Sequence, residues 1–423
     1  MRTVEYTRQG EAAQVLTLRE RPHRPAPGAG EILVRVLVRP VHRGDLLAVE
    51  GPPRPPESAG PPESAGPPGS AGAPEQSVPP AQRSEARTPG VEGMGVVESV
   101  GAGVHAPRPG QRVAFFPVQG TWSDFVVVPA DLAVPVPDGV SDETAALMLV
   151  NPLTVRMLHR AVEDALCGQR GTVVQTAAGS SVGRLISAAA VRHDLQLVNL
   201  VRGDSGAQRT RRLYPSQPVV VTRDGDWREQ VRRHAGERGV RVVLDSVGGA
   251  MTRDLSALLA EGGTLISYGQ LGSGTTPLEA LPLIARALTV RGVSVLRWSS
   301  LAPEERARDV AFARDLARRS PELFEVAASY DLADFEAAVE HARRPAKSGT
   351  VLLTTARTAA SEQPTAASER RTAASRQPTA ASEQPKAASE PRTAASRQPT
   401  TASPRPTTAP ERRTAASEQG GVR

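Results

Sequence analysis

The chain has 423 residues, with 51 Lys+Arg against 45 Asp+Glu and a single cysteine. Cys167 alone excludes an internal disulfide, a four-cysteine zinc lobe and any thiolate cluster, and no run approaches the ~18 apolar residues of a membrane span. The formal charge of +6 does not mark a nucleic-acid surface, because residues 356–423 hold ten Arg and one Lys against six Glu, which is +5 of the total.

Lysine occurs only at 347 and 386, asparagine only at 151 and 199, and isoleucine four times. Arg, Ala, Gly and Pro, all read from GC-rich codons, are abundant, so the high pI reports genome composition first. The N-terminus lacks a signal-peptide core. A soluble, cytoplasmic protein with a small-molecule substrate is expected, with no nucleic-acid or membrane partner.

From residue 1 to about 135 the chain shows short β-type runs, Ile32–Val38, Gly95–Val100, Arg112–Phe116 and Phe125–Val128. Turns at Pro109-Gly110 and Pro137-Asp138-Gly139 punctuate them, which predicts a compact all-β unit. Residues 52–88 interrupt that unit with Ser-Ala-Gly repeats among Pro-Pro pairs and read as a disordered insert. A helix is predicted over Ser141–Leu166, with Ser141 as N-cap and Asp142 and Glu143 in its first turn. Pro152 is expected to interrupt it.

Strands and helices then alternate. The strand runs are Thr172–Val174, Leu195–Val201, Val219–Val221, Val240–Leu244 and Thr264–Ser267; the helical ones are Ser181–Val191, Asp226–His234 and Met251–Leu259. This spacing implies a doubly wound parallel sheet. Val290–Leu296, a charged helix from Pro303 and Thr350–Leu353 close the body. From 355 to 423, Thr-Ala-Ala-Ser and its variants recur with period seven, but Pro364, Pro378, Pro385 and Pro399 fall within the period. No large apolar seam exists, so disorder, not a coiled coil, is expected.

The chemistry gathers around Gln175 to Gly183. A small-residue turn between a strand and a helix lets backbone N–H groups approach a pyrophosphate, aided by the helix dipole. Two glycines four apart carry little by themselves, since such turns also serve simply to pack a helix on a sheet. The second strand ends in Arg202, Gly203 and Asp204, where an arginine suits a 2′-phosphate and a carboxylate suits a free ribose. NADPH is therefore favoured over NADH.

Five motifs then fall in register: Gly120 to Trp122, Asn151 to Thr154, Gln175 to Gly183, Leu244 to Gly249 and Gly263 to Gly269. Together they resemble the zinc-free medium-chain dehydrogenase/reductases, most closely the 2-enoyl thioester reductases and quinone oxidoreductase-like proteins, over about 1–51 and 89–353. The resemblance implies an α/β fold, a Rossmann domain joined to a GroES-like β-barrel domain. The corresponding division is 1–150, 151–286, a return segment 287–354 and a tail 355–423. It further implies that Asn151 contacts the nicotinamide side, that Gly179, Ser180, Ser181, Val182 and Gly183 hold the pyrophosphate, and that Arg202, Gly203 and Asp204 hold the adenosine phosphate. Tyr268, Gly269, Gln270 and Leu271 would line the nicotinamide, with Val293, Ser294 and Val295 nearby. Homodimers are usual in such proteins.

The chain also departs from that family. Zinc chemistry is not expected, because Cys167 stands alone and His42 and His159 have no partner thiolate; Cys167 should pack as a small apolar residue. The enoyl thioester reductases carry a tyrosine after the segment matching Val41 to Leu46, taken to protonate Cα, whereas no tyrosine lies between Tyr6 and Tyr214 here. Their Asn-Pro-Ser-Asp reads His42 to Asp45, and their Gly-Phe-Trp reads Gly292 to Ser294. His42 is a candidate replacement acid, although a solvated loop histidine is the plainer expectation. Trp122 borders either the substrate cleft or a β-domain core. The reading is a zinc-independent NADPH-dependent reductase of an activated C=C bond, in a quinone, enone or enoyl thioester. The alternative is an NADPH-binding protein with a degenerate substrate loop and little turnover.

Overall fold

The computed structural model describes residues 1–51, 85–272, 274–345 and 347–356. The expectations for the insert's 52–84 and the tail's 357–423 lie outside these residues. The chain is already paired at Arg87, whose backbone N–H donates to Tyr6 O and whose carbonyl accepts from Tyr6 N–H, both at 2.9 Å.

The first part contains β1 (Arg2–Glu5), α1 (Ala12–Val15), β2 (Thr17–Glu20), β3 (Glu31–Pro40), α2 (Arg43–Glu50), β4 (Gly93–Val100), β5 (Arg112–Phe115), β6 (Phe125–Pro129) and β7 (Ala133–Pro135). β3 pairs antiparallel with β4 and with β6, so both of its edges are hydrogen-bonded. Its residues 36 to 40 are all buried, Arg39 included, so buried and exposed positions do not alternate as they would in a half-exposed strand. Trp122 is wholly buried among Val4, Leu46 and Phe335, so it belongs to a β-domain core rather than to the cleft.

Ser141 caps α3 (Asp142–Ala146) as its position predicts, its Oγ accepting from Thr144 N–H at 3.2 Å. The helix then breaks at 147–149 and restarts as α4 (Val150–Leu166). Pro152 does not interrupt a helix: it occupies the first turn of α4, where its missing N–H would have had no intrahelical acceptor. Cys167 is also not an apolar packing residue. It is exposed at the C-terminal cap of α4 with φ +46°, the left-handed conformation that ends the helix.

The α/β part runs β8 (Thr172–Gln175), α5 (Ser181–Arg192), β9 (Leu197–Val201), α6 (Asp204–Leu213), β10 (Val219–Val221), α7 (Trp227–Ala235), β11 (Val240–Asp245), α8 (Ala250–Leu258), β12 (Leu259–Ser267), α9 (Ala280–Ala285) and β13 (Thr289–Gly292). The six strands are parallel in the order β10-β9-β8-β11-β12-β13. That is the dinucleotide-binding order 3-2-1-4-5-6, and its switch point lies between β8 and β11.

The chain returns through α10 (Pro303–Arg319), β14 (Val326–Asp331), α11 (Phe335–Arg343) and β15 (Thr350–Thr354). β15 pairs antiparallel with β3 and parallel with β14, completing a seven-stranded sheet from both ends of the described chain. A single apolar core joins the two sheets, from Leu37, Phe116 and Leu352 through Leu149 and Leu158 to Leu244 and Ile266. Asp309, fully buried on α10, accepts from Arg156, Arg160 and the Trp298 indole and fixes α10 against α4.

Candidate cofactor site and cleft

Open parallel sheets bind ligands beyond the carboxyl ends of their strands at the switch point, and the residues singled out from the sequence gather along that edge. After β8, Ser180 caps α5: its Oγ accepts from Gly183 N–H at 3.0 Å. Ser180 N–H is itself spent on Ala177 O, but the N–H groups of Ser181 and Val182 have no acceptor among the described residues. A side chain on Gly179 would meet nothing within 4 Å, so the turn faces open space. Gly183 is different, because a Cβ there would lie 2.6 Å from Ala177 O; only glycine lets the helix sit this close to the turn. Two free donors, a helix N-terminus and room in front of them fit a diphosphate.

Arg202, Gly203 and Asp204 stand at the end of β9, with Asp204 opening α6. Arg202 is exposed and has no carboxylate partner among the described residues. Arg223, at the end of β10, was not foreseen: its Nη1 comes within 3.7 Å of where a Gly203 Cβ would stand, and it too lacks an acidic partner. The only hint in the sequence was its place two residues after a strand, as Arg202 follows β9 directly. Two unpaired arginines at adjoining strand tips suit a phosphate monoester better than a bare ribose.

After β11, the buried Asp245 accepts from Thr176 Oγ1, Thr252 Oγ1 and the N–H of Val247, which locks the switch point. Gly248 and Gly249 follow at φ +76° and +62°, in the region that favours glycine. The segment Tyr268 to Leu271 crosses over this turn, with Tyr268 N–H on Asp245 O and Leu271 N–H on Ser246 O, both at 2.9 Å. Gln270 Nε2 donates to Gly274 O. Burial pushes the Tyr268 hydroxyl up to about 12, so it stays protonated. Val293 N–H donates to Ser267 O and continues the same edge; Val293 and Ser294 line a cavity of about 470 Å³ together with Arg160, Arg291 and Arg297. Val295 begins the following 3₁₀ turn. Asn151 lies in the first turn of α4 and is buried.

His42 is not a solvated loop residue. It caps α2 with only 15% of its side chain exposed, and its Nε2 lies 2.6 Å from Glu92 Oε2. Glu92, fully buried, accepts through its other oxygen from the N–H groups of Leu149 and Val150. One carboxylate thus ties the loop before α2 to the turn that presents Asn151. Glu92 escaped notice because a single acid in the run 90–97 looks like an exposed strand position. Asp45 is buried beside the pair, and burial, helped by the Glu92 charge against opposition from His42, pushes it up to about 6. Among the described residues no group of three or more His, Cys, Asp or Glu could hold a metal ion.

Residues 28–138 match the alcohol dehydrogenase GroES-like domain, and 181–307 match the zinc-binding dehydrogenase family. The chain belongs to the medium-chain dehydrogenase/reductase superfamily. It is 26% identical over 364 residues to the mitochondrial enoyl-[acyl-carrier-protein] reductase of Bos taurus, covering 84% of this chain and 88% of that one. A Bacillus thuringiensis structure assigned as an NADPH:quinone reductase superposes with a TM-score of 0.69 at 26% identity, covering 84% of this chain and 99% of the other. The fold is equally that of the Escherichia coli quinone oxidoreductase solved with NADPH, at a TM-score of 0.68, 24% identity and coverage of 84% and 100%. The GroES-like and Rossmann expectations hold, and the chain is of an oxidoreductase lineage.

Proposed function

We propose that the protein is an NADPH-dependent, zinc-independent reductase of an activated C=C bond, with quinones and enones preferred over enoyl thioesters. The observation that carries this reading is the pair of uncompensated arginines, Arg202 and Arg223, at the strand tips beside an open diphosphate turn. NADPH-binding relatives and an enoyl reductase relative support it. Bound NADPH would supply the hydride. The chain's own residues would hold it: Gly179 to Gly183 at the diphosphate, Arg202 and Arg223 at the 2′-phosphate, and Tyr268 to Leu271 with Val293 to Val295 along the nicotinamide side. Asn151 would orient the carboxamide, just after the turn whose Leu149 and Val150 N–H groups donate to Glu92.

Quinones and enones are favoured because the loop after Asp45 offers no tyrosine, while a reduced quinone oxygen can take its proton from water. NADPH oxidation assayed across crotonyl thioesters, enones and quinones tests the proposal. NADPH binding without turnover of any class would favour a cofactor-binding protein instead.

A second copy of the chain is the proposed partner. β13 is one of the two edge strands of the parallel sheet and all four of its residues are exposed, and α9, which precedes it, exposes Leu281 (75%) and Ile284 (76%). An unpaired edge next to bare aliphatic side chains is suited to pairing with its own copy across a twofold axis.

A further inference from the structure

Helix α4 carries Asn151 in its first turn, yet it brings no cap of its own. Its N-cap residue is Leu149, whose side chain cannot accept from a backbone N–H, and its first turn holds no acidic residue. The chain enters α4 from the break at 147–149, so the N–H groups of the opening turn need an acceptor from elsewhere. Glu92 supplies it from 57 residues earlier in the chain: Oε1 accepts from Leu149 N–H at 3.0 Å and from Val150 N–H at 2.7 Å. Leu149 O in turn accepts from Leu153 N–H at 2.9 Å, so regular helical bonding begins at the residue that Glu92 holds.

The acceptor is itself held in place. Glu92 directly precedes β4, its side chain is fully buried, and Oε2 lies 2.6 Å from His42 Nε2. Both oxygens are engaged, and withdrawing either would strand buried polar groups. The direction of the first turn of α4 is therefore set by the β-domain sheet and not by α4. Asn151, 8% exposed, sits directly after the two held N–H groups, and its side-chain amide makes no hydrogen bond among the described residues. That amide is free for a ligand, and where it points follows from the backbone beneath it.

We propose that Glu92 is a positioning residue for the nicotinamide: by capping α4 from the start of β4 it aims the Asn151 amide, and so sets the reacting end of the cofactor while leaving the adenosine end alone. This rests on the reading of Asn151 as the carboxamide contact and adds to it the residue that fixes its geometry. Arg202 and Arg223, at the tips of β9 and β10, share no partner with Glu92, so the two ends of the cofactor should respond separately. What Glu92 supplies to α4 is an oxygen at a given reach, which separates its length from its charge.

The test uses the full chain as wild type, Glu92→Gln, Glu92→Asp and Asn151→Ala. Each is titrated with NADPH and with adenosine 2′-phosphate, which has no nicotinamide, and the single-turnover oxidation of bound NADPH by 1,4-naphthoquinone is timed. Glu92→Gln keeps an oxygen at the same reach and should bind NADPH within about threefold of wild type. Glu92→Asp keeps the charge but draws it back by one methylene, and should bind NADPH about three- to tenfold more weakly. Its single-turnover rate should fall by about tenfold or more, because hydride transfer depends steeply on placement of the ring. Adenosine 2′-phosphate affinity should stay at the wild-type value throughout. A Glu92→Asp chain that matches wild type while Glu92→Gln is impaired would make the charge facing His42 the relevant property and overturn the proposal. Equal losses for both ligands in Glu92→Asp, or a collapse of its melting temperature, would reduce Glu92 to a general structural role and overturn it as well. Asn151→Ala binding NADPH as wild type does would instead remove the carboxamide reading on which the proposal rests.

Discussion

His42 Nε2 and Glu92 Oε2 are 2.6 Å apart, and the same carboxylate holds the backbone that leads into Asn151. Burial draws the His42 pKa down, but the Glu92 hydrogen bond and charge outweigh it and leave it raised. A histidine raised in this way stabilises the fold fully below about 6.5, its ordinary value, and loses that contribution as pH rises through its folded pKa. Asp45, raised to about 6, has the same sign: its folded carboxyl prefers to be protonated, so stability falls as pH rises from about 4 through 6.

The first prediction follows from Asp45. Asp45→Asn keeps an oxygen to accept the His42 N–H but cannot ionise. A carboxyl raised from its ordinary value near 4 to about 6 corresponds to roughly 2–3 kcal/mol, so the variant should melt several degrees above wild type at pH 7.5 and close to it at pH 4. Melting curves across pH check this. A gain that is the same at both pH values would mean that Asp45 is not the titrating group.

The parallel sheet was legible because its inner strands are largely buried on both faces and therefore read as aliphatic runs, as at Val219–Val221 and Val242–Leu244. α6 was not, since only Ala207 and Thr210 of its ten residues are buried and no apolar stripe marks it. β14 and α11 escaped for a related reason: no residue of β14 is fully buried, and the helix is nine residues long. In the site, backbone requirements were readable, as at Gly183. Long-range pairings such as His42 with Glu92 or Ser181 with Thr350 were not, because partners 50 and 169 residues apart leave no local pattern.

Cofactor choice gives a second prediction. Arg202→Ala should narrow the preference for NADPH over NADH by about tenfold, within the range of a charge-assisted contact, and Arg223→Ala should narrow it further when combined. Because neither arginine has a carboxylate partner among the described residues, the loss should appear in NADPH affinity while NADH affinity stays level. Fluorescence titration with both cofactors measures it; equal wild-type affinities would rule the assignment out.

A third prediction concerns assembly. Leu281→Arg with Ile284→Arg places two charges on the exposed face of α9 and should convert a dimer to a monomer without unfolding the chain, because both side chains are already in water. Sedimentation of wild type and variant reads the outcome. A wild-type monomer at tens of micromolar would discard the β13 edge as a self-pairing surface.

A fourth prediction concerns the tail. Thr355 accepts from Arg39 Nη1 at 2.7 Å, and its N–H donates to Leu37 O, so the chain is needed at least to that point. Beyond 356 the sequence has no aromatic residue and, apart from Val422, no large aliphatic one. Such a sequence offers almost no apolar surface to bury. A chain ending at Ala356 should keep its melting temperature and NADPH affinity, whereas one ending at Thr354 should lose stability by stranding the buried Arg39. A large drop on ending at Ala356 would mean that the tail docks on the body.

The last prediction is about the proton. Hydride transfer to the Cβ of an enoyl thioester leaves an enolate that must be protonated at carbon, and a positioned general acid contributes roughly 10²–10⁴-fold to such a step. No tyrosine stands in the loop after Asp45. His42 is the nearby group able to donate near neutral pH, yet its Nε2 is engaged with Glu92, so its proton is already shared. An electron-poor quinone escapes this requirement, because its reduced oxygens take protons readily from solvent. Turnover of quinones or enones should therefore exceed that of crotonyl thioesters by at least about tenfold, a conservative share of the acid's contribution. Efficient thioester reduction that is lost in His42→Ala would reverse the ranking and name His42 as the donor. Efficient reduction indifferent to His42 would leave the proton to water or to another residue.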